Sequence, residues 1–346
     1  MGSRVTMQDV ADRANVSKST VSLVFNGSTQ ISQATLESVY QAANELGYSR
    51  DPLARMLRTR RTHSLGLLLP QSLDVILENP YYTQFLQGVG QTCQQEGYTL
   101  LLAPPLRGSV LKTIPYSVVD GFIVTGLEED RGEVEALRQR GIPFVLVDSE
   151  VYDGVPAVDV DEAAGMRELV GHLTAQGHRR IAIAAIETDT PGGYENWRGP
   201  VRRRLDGVRE GLAGAGLGLD SAGISVLEVP CTRAGGAQAF DAVWREPPYP
   251  TAIVAFSDII ALGILDRARQ AGVDVPRELS VTGFDDLAEA AWTHPSLTTI
   301  RQPIATKGRL AAEYLVETIV GTTTRPHVQR LATALLVRES TGPVPG

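Results

Sequence analysis

At 346 residues the chain exceeds what one hydrophobic core sustains, and its 43% hydrophobic and 21% charged residues describe an ordinary globular protein of two or three domains. No apolar run approaches the ~20 residues of a membrane span and no basic-then-apolar leader opens the chain, so a cytoplasmic protein with no membrane partner is expected. The net charge of −8 is uneven: residues 1–61 hold eight Lys or Arg against five Asp or Glu, a surplus of three that leaves −11 for the rest. A basic tip on an acidic body suits a chain whose tip alone meets phosphate, although a solvated face can produce the same pattern by chance.

In chain order, Thr6 opens a helix with Asp9 three residues on, and Val10, Ala11 and Ala14 give it an apolar stripe. Asn15, one of the few non-glycine types that accept positive φ cheaply, predicts a tight turn. A second helix follows with Ser17 as N-cap, Val21, Val24 and Phe25 as the apolar face and Asn26-Gly27 as the stop. Its other face carries Lys18, Ser19 and Ser22, all hydrogen-bonding groups. Ser32 caps a third helix with Leu36, Val39, Tyr40, Ala43 and Leu46 as the expected buried stripe and Gly47 as its end. Three short helices of this kind close one small core; a plain helical bundle would show the same caps and stripes.

Next comes the segment 51–62, with Asp51 as cap, Pro52 at the first helical position and four arginines, Arg55, Arg58, Arg60 and Arg61. A helix of about two turns is unstable alone in water, so it needs a partner or is a flexible linker. From His63 short β runs alternate with helices. Expected strands are Leu65–Leu69, Thr99–Ala103, Gly121–Thr125, Phe144–Val147, Ile181–Ala185, Ser225–Val229, Ala252–Ala255 and Leu279–Gly283, with helices at 81–96, 131–139, 162–175, 201–213, 234–243 and 259–270. The alternation predicts an α/β core of two doubly wound parallel-sheet subdomains with a cleft between them. Ligands of such sheets bind beyond the carboxyl ends of the strands, which singles out Thr125, Asp148, Cys231, Ser257 and Asp285, joined by Tyr81, Tyr82 and Arg204 at helix starts.

Enzymatic readings find little support. Gly211 to Gly216 lies at a helix end without the spacing or later acid of a dinucleotide fingerprint, and no Gly-x-Ser-x-Gly elbow or His-x-x-x-His pair is present. Cys93 and Cys231 are far apart and suggest neither a disulfide framework nor a zinc site. No metal and no cofactor are expected, and the chain is not expected to be an enzyme.

The runs Val5-Thr6-Met7-Gln8-Asp9-Val10-Ala11, Val16 to Ser22, Val24-Phe25-Asn26-Gly27 and Glu45-Leu46-Gly47-Tyr48 resemble the helix-turn-helix head-piece of the lactose-repressor (LacI/GalR) family of bacterial transcription regulators. Further on, Asn79-Pro80-Tyr81-Tyr82, Gly177-His178-Arg179-Arg180-Ile181, Arg204-Leu205-Asp206-Gly207, Val281 to Asp286 and Pro295 to Ile300 resemble that family's core, itself similar to periplasmic sugar-binding proteins. The resemblance implies a head-piece at 1–50, a hinge helix at 51–62 and a core at 63–346. Within the core it implies a first subdomain of about 63–160 and 293–323, and a second of about 161–292 and 324–341.

It also implies a homodimeric repressor on a pseudo-palindromic double-stranded DNA operator, controlled by a small-molecule effector, a sugar or related metabolite. Lys18 and Ser19 would read base edges, Ser17, Thr20, Ser22 and Asn26 would mainly hold phosphates, and Thr6 would be a further DNA-binding residue. In the hinge, Leu57 would wedge between base pairs, Ala54 would lie on the close-packed side, and Arg55 and Arg58 would sit near phosphate. Asp148, Arg204 and Asp285 would grip polar effector groups, with Tyr81, Tyr82 and Cys231 as walls and Thr125 and Ser257 at strand ends. A helix cap for Asp285 and an acid partner for Arg204 are the alternatives. Two departures stand out: Leu23 replaces an arginine common in relatives, which favours a thymine methyl over a guanine contact, and residues 104–117 are proline-rich where a full helix is usual. The loop 188–199 holds Tyr194 and Trp197, either to stack on a ring or to cover the cleft mouth.

Overall fold

The computed structural model describes residues 5–25, 28, 30–48, 56, 61–127, 132–188, 190–322 and 328–344. The positions read above as Asn26, Ala54, Arg55, Leu57 and Arg58 lie outside the described residues. The chain divides into two units, 1–62 and 63–346.

In the first unit, α1 (Met7–Arg13) begins with a reciprocal cap: Thr6 Oγ1 accepts from the Asp9 N–H at 3.3 Å, and the Asp9 carboxylate accepts from the Thr6 N–H at 2.7 Å. Asn15, at φ +52°, makes the turn into α2 (Lys18–Phe25), whose Thr20 N–H donates to Ser17 Oγ at 3.0 Å. Ser32 caps α3 (Gln33–Leu46), which stops at Gly47 with φ +64°. Val10, Ala11, Val21, Val24, Val39, Ala42 and Ala43 form the small core. Tyr40, expected inside, is 46% exposed: Ala42 takes the inward position, and Tyr40 lies edge-on to Phe25 with ring centroids 5.6 Å apart.

The second unit contains two six-stranded sheets. The first runs β11-β5-β4-β3-β1-β2, formed by β1 (Ser64–Leu68), β2 (Thr99–Ala103), β3 (Gly121–Thr125), β4 (Phe144–Val147), β5 (Ala157–Val160) and β11 (Val328–Leu331), all parallel. The second runs β12-β10-β9-β8-β6-β7, formed by β6 (Ile181–Ile186), β7 (Ile224–Val229), β8 (Ala252–Ala255), β9 (Ser280–Asp285), β10 (Thr298–Arg301) and β12 (Ala334–Leu336), the last antiparallel to β10. The central strands read as continuous apolar runs because helices cover both faces. These helices are α4 (Leu73–Glu78), α5 (Pro80–Glu96), α6 (Val110–Thr113), α7 (Glu133–Gln139), α8 (Glu162–Ala175), α9 (Gly199–Ala213), α10 (Arg233–Val243), α11 (Asp258–Gln270), α12 (Ala288–Trp292) and α13 (Ile304–Val320). The proline-rich stretch 104–117 reduces to α6 and one 3₁₀ turn, Ile114–Tyr116.

The expected subdomain boundaries need two corrections. Residues 298–301 pair with β9 in the second sheet, burying Thr298, Thr299 and Ile300, although 293–323 was assigned to the first subdomain. Residues 328–331 pair with β5 in the first sheet, although 324–341 was assigned to the second. The chain therefore passes between subdomains at 302–303 and again after Leu331. Between those crossings α13 packs along α5 so closely that a Cβ at Gly88 would lie 1.9 Å from the Ala305 carbonyl oxygen. The start of α13 reaches the carboxyl end of β4, where Lys307 meets Asp148. Among the described residues no helix is long and apolar enough to cross a membrane.

Candidate functional site

Two places gather the chemistry. On α2 the cap and exposed face carry Ser17, Lys18, Ser19 and Leu23, with Thr20 and Ser22 half-buried behind them and Thr6 exposed at the start of α1. Ser17 Oγ lies 2.7 Å from Ser19 Oγ and 2.8 Å from Thr20 Oγ1, a knot of hydroxyls that leaves the lysine head to reach outward. Leu23, 42% exposed on this face, lies outside the small core.

The second place lies between the sheets. Asp148 follows β4 with φ +46°, and Asp285 ends β9 with φ +141°, followed by Asp286 at φ +59°. Backbone held in such sparsely populated regions is costly for non-glycine residues and concentrates at binding sites. Tyr81, in the first turn of α5, donates its hydroxyl to the Asp148 carboxylate. Lys307 on α13 donates to both Asp148 oxygens at 2.7 and 2.6 Å and to Gln302 Oε1 at 2.6 Å. The Gln302 amide donates to Asp285 Oδ1 at 2.6 Å, and Ser257 Oγ to Asp285 Oδ2 at 2.8 Å. One continuous chain of bonds thus runs from Tyr81 to Ser257, linking the carboxyl edge of one sheet to that of the other.

Arg204, buried on α9, donates to the Phe256 carbonyl and stacks with its guanidinium 4.0 Å from the Phe284 ring centroid. Its Nε has no acceptor among the described residues. Tyr82 meets Tyr81 edge to face at 5.2 Å, and Asn79 Nδ2 reaches 3.9 Å from the half-buried Cys231 sulfur. Glu150 accepts from the Gly199 N–H at 2.7 Å, and Arg203 donates to the Ser149 carbonyl at 3.2 Å, so the loop after β4 also touches the start of α9. Thr125 behaves differently from the expectation: its buried hydroxyl donates at 3.0 Å to the Leu68 carbonyl, tying β3 to β1. Trp197, from the loop that could have covered the cleft mouth, is packed in the second core with its ring centroid 6.4 Å from Phe256.

The two carboxylates titrate in opposite directions. Burial pushes the Asp148 carboxyl up, but the Lys307 charge, the bonds from Lys307 and Tyr81 and the Arg204 charge outweigh it and hold it below the usual range. Burial wins at Asp285, raising it despite Arg204, Ser257 and Gln302. Beneath it, burial and the Asp285 charge push Asp258 up to about 8, where Thr299 Oγ1 at 2.5 Å and the Leu287 N–H at 2.8 Å donate to it. Burial, then Asp285, also raises the Cys231 thiol to about 11. The cleft is therefore a polar pair of edges, two carboxylates held by the Lys307 ammonium and the Gln302 amide beside one buried guanidinium.

Residues 6–51 match the model of bacterial regulatory proteins of the lacI family, and residues 170–341 match that of periplasmic binding protein-like domains. The regulator CelR of Thermobifida fusca is 34% identical over 97% of this chain and 98% of its own length. The chain belongs to the lacI family of bacterial regulatory proteins. It is 37% identical to the regulator MalR of Streptomyces coelicolor (98% of this chain, 97% of that one) and 31% identical to the ribose operon repressor of Escherichia coli K12 (97% and 99%). The solved complex of CelR with cellobiose superposes with a TM-score of 0.71 at 33% identity, covering 97% of this chain and all of that one. The lac repressor dimer bound to operator superposes at 0.83 with 24% identity, covering 98% and 100%, which establishes the shared fold. The lacI family consists of DNA-binding transcription regulators rather than enzymes, and this chain is one.

Within that lacI frame, the residues that sequence reasoning missed are Lys307 and Gln302. A signal for Lys307 was present: it is a charged residue within an apolar helical stripe formed by Ile304, Gly308, Ala311 and Leu315. Gln302 carried no signal, because only the crossing from β10 to α13 places it in the cleft.

Proposed function

We propose that this lacI-family regulator is a homodimeric repressor of a pseudo-palindromic operator, released from DNA by an uncharged sugar or related polyol bound between the two sheets. The observation that carries the reading is the pair Asp148 and Asp285, strained strand-end carboxylates on opposite sides of the cleft, beside an Arg204 Nε–H that has no acceptor among the described residues. Carboxylates accept from hydroxyls and a guanidinium donates to ring or hydroxyl oxygens, which is the chemistry of a polyol. The relatives agree in kind: CelR has been solved with cellobiose and another relative is a ribose operon repressor.

Asp148, Arg204, Asp285 and Ser257 contact the ligand's polar groups in this reading, with Tyr81, Tyr82 and Cys231 as walls. Thr125 is left out, since its hydroxyl is engaged within the sheet. On DNA, Lys18 and Ser19 read base edges, Leu23 meets a thymine methyl, and Thr6, Ser17, Thr20, Ser22 and Asn26 hold the backbone. Residues 51–62 form the hinge, in which Leu57 wedges between bases, Ala54 packs against the second copy, and Arg55 and Arg58 lie near phosphate. The protein works in the cytoplasm, where its DNA is. Ligand binding changes the angle between the subdomains and weakens operator binding by a coupling of about 1–3 kcal/mol.

The test is a thermal-shift panel of cellobiose, maltose, ribose and glucose on the full-length protein, followed by operator anisotropy with each sugar. One sugar should raise Tm and reverse DNA binding. A panel that neither shifts Tm nor changes DNA binding overturns the ligand assignment.

A further inference from the structure

We infer that Lys307 is the positioning residue of the cleft: its ammonium fixes the Asp148 carboxylate of one subdomain and the Gln302 amide of the crossover, so that a ligand meets acceptors already set on both sides. The inference rests on the cleft being the ligand site. Lys307 has no exposed surface, a state lysine rarely adopts without partners. An ammonium has three N–H donors, and its three short bonds use them: Asp148 Oδ1, Asp148 Oδ2 and Gln302 Oε1. None is left for a ligand, so Lys307 acts through its neighbours.

Its effect on Gln302 is directional. With Oε1 drawn to the ammonium, the amide nitrogen is turned to Asp285, and an amide flip would set two donors against each other and two acceptors against each other. On Asp148, Lys307 and Tyr81 occupy three of about four lone-pair sites, which leaves roughly one, on Oδ1, for a ligand hydroxyl. Asp285, with one donor on each oxygen, keeps about two. Lys307 offsets Asp148 and Arg204 offsets Asp285, so what the two carboxylates keep for a ligand is open lone pairs, which suit hydroxyl donors. Packing alone does not require a lysine here. The position lies in an apolar stripe with Ile304 and Ala311, where a methionine fills similar space without the desolvation cost of a buried ion pair.

The experiment compares full-length wild type, K307M and the double variant D148N/K307M by thermal melts at pH 5 and pH 8. Asp148 without Lys307 is a buried carboxylate whose cost is felt only when it is ionised. The other charged or titratable groups around it, Tyr81 on α5, Asp159 on β5, Arg203 and Arg204 on α9 and Asp285 on β9, are common to all three proteins. Asp159, raised to about 7, and Asp285 also feel the Lys307 charge, so their share of the pH dependence is the same in both variants that lack it. K307M should therefore lose more Tm at pH 8 than at pH 5, by roughly 2 °C or more. D148N in that background should recover most of the loss and remove most of its pH dependence. If K307M does not fold at pH 8, recovery of folding by D148N supports the same conclusion. An equal Tm loss at both pH values, unrelieved by D148N, overturns it and makes Lys307 a packing residue.

The same proteins titrated with cellobiose, maltose and ribose add the functional arm. Whichever sugar binds wild type should bind K307M about tenfold or more weakly, the equivalent of one pK unit of carboxylate preorganisation; unchanged affinity overturns the positioning role. If no sugar binds wild type, the ligand assignment fails, while the pH comparison still decides whether Lys307 holds Asp148.

Discussion

Replacing Arg204 with methionine should separate the ligand response from DNA binding. The guanidinium makes two contacts that the variant loses: the bond to the Phe256 carbonyl and the stack 4.0 Å above Phe284. Stranding a buried carbonyl costs about 1–3 kcal/mol, and a desolvated cation over an aromatic ring contributes about 2 kcal/mol. Methionine returns part of this as apolar contact, so a folded core with a lowered Tm is expected. The ligand loses more. Arg204 Nε is a buried donor without an acceptor among the described residues, and one charge-assisted bond from it to a ligand oxygen is worth about 1.5–3 kcal/mol, or roughly 10- to 150-fold in affinity. Asp285 also loses the cation that opposes its upward shift, which leaves it a poorer acceptor for a hydroxyl. Fluorescence anisotropy on operator DNA provides the assay: without sugar the variant should bind within a few fold of wild type, and with sugar it should stay bound. An Arg204→Met protein released at the wild-type sugar concentration would refute the role given to Arg204.

Three other changes probe separate levels. Lys18→Ala should relax base preference at one operator position in a selection experiment, whereas an unchanged consensus would remove Lys18 from base readout. Gly88→Ala places a methyl 1.9 Å from the Ala305 oxygen and 2.8 Å from the Arg309 nitrogen, backbone atoms that cannot rotate aside, so α5 and α13 must separate. A cost of about 1–3 kcal/mol is expected in denaturant melts, and an unaltered midpoint would contradict the close approach. Asp258 is raised to about 8 by burial and by Asp285, from an ordinary value of 3.8. The fold favours its neutral form, so its contribution is complete below about pH 4 and is lost as pH rises through about 8. Asp258→Asn can still accept from Leu287 and should flatten the Tm profile across that window; a profile parallel to wild type would show that Asp258 does not titrate there.

The head-piece was legible because its signals are local. Thr6 with Asp9, Asn15, Ser32 and Gly47 each encode a cap or a turn that depends only on near neighbours, and each adopts that geometry. Tyr40 was misplaced because an aromatic residue at the edge of a small core can satisfy the helical period while packing sideways on Phe25. In the core, the apolar runs of β1, β3, β4 and β8 announced themselves. Strand β10, with Thr298 and Thr299 facing a polar interior, did not, since its burial comes from pairing with β9 and from bonds to Asp258 and Thr341. The carboxylates of the cleft could be named from strand ends. The bonds that join them could not: the apolar stripe marks Lys307 as a buried charge, but its partners, and Gln302 altogether, are set only once the chain has crossed from one subdomain to the other.

The central claim is that one face of α2 reads DNA in a dimer and that the cleft decides whether it stays bound. The most direct test is selection of duplexes from a randomised pool by the full-length protein, followed by anisotropy of the winning sequence with and without the sugar that raises Tm. An inverted repeat with half-sites about one helical turn apart, released by that sugar, is the predicted result. A pool that yields no enriched sequence, or an enriched duplex that no sugar dislodges, would contradict it.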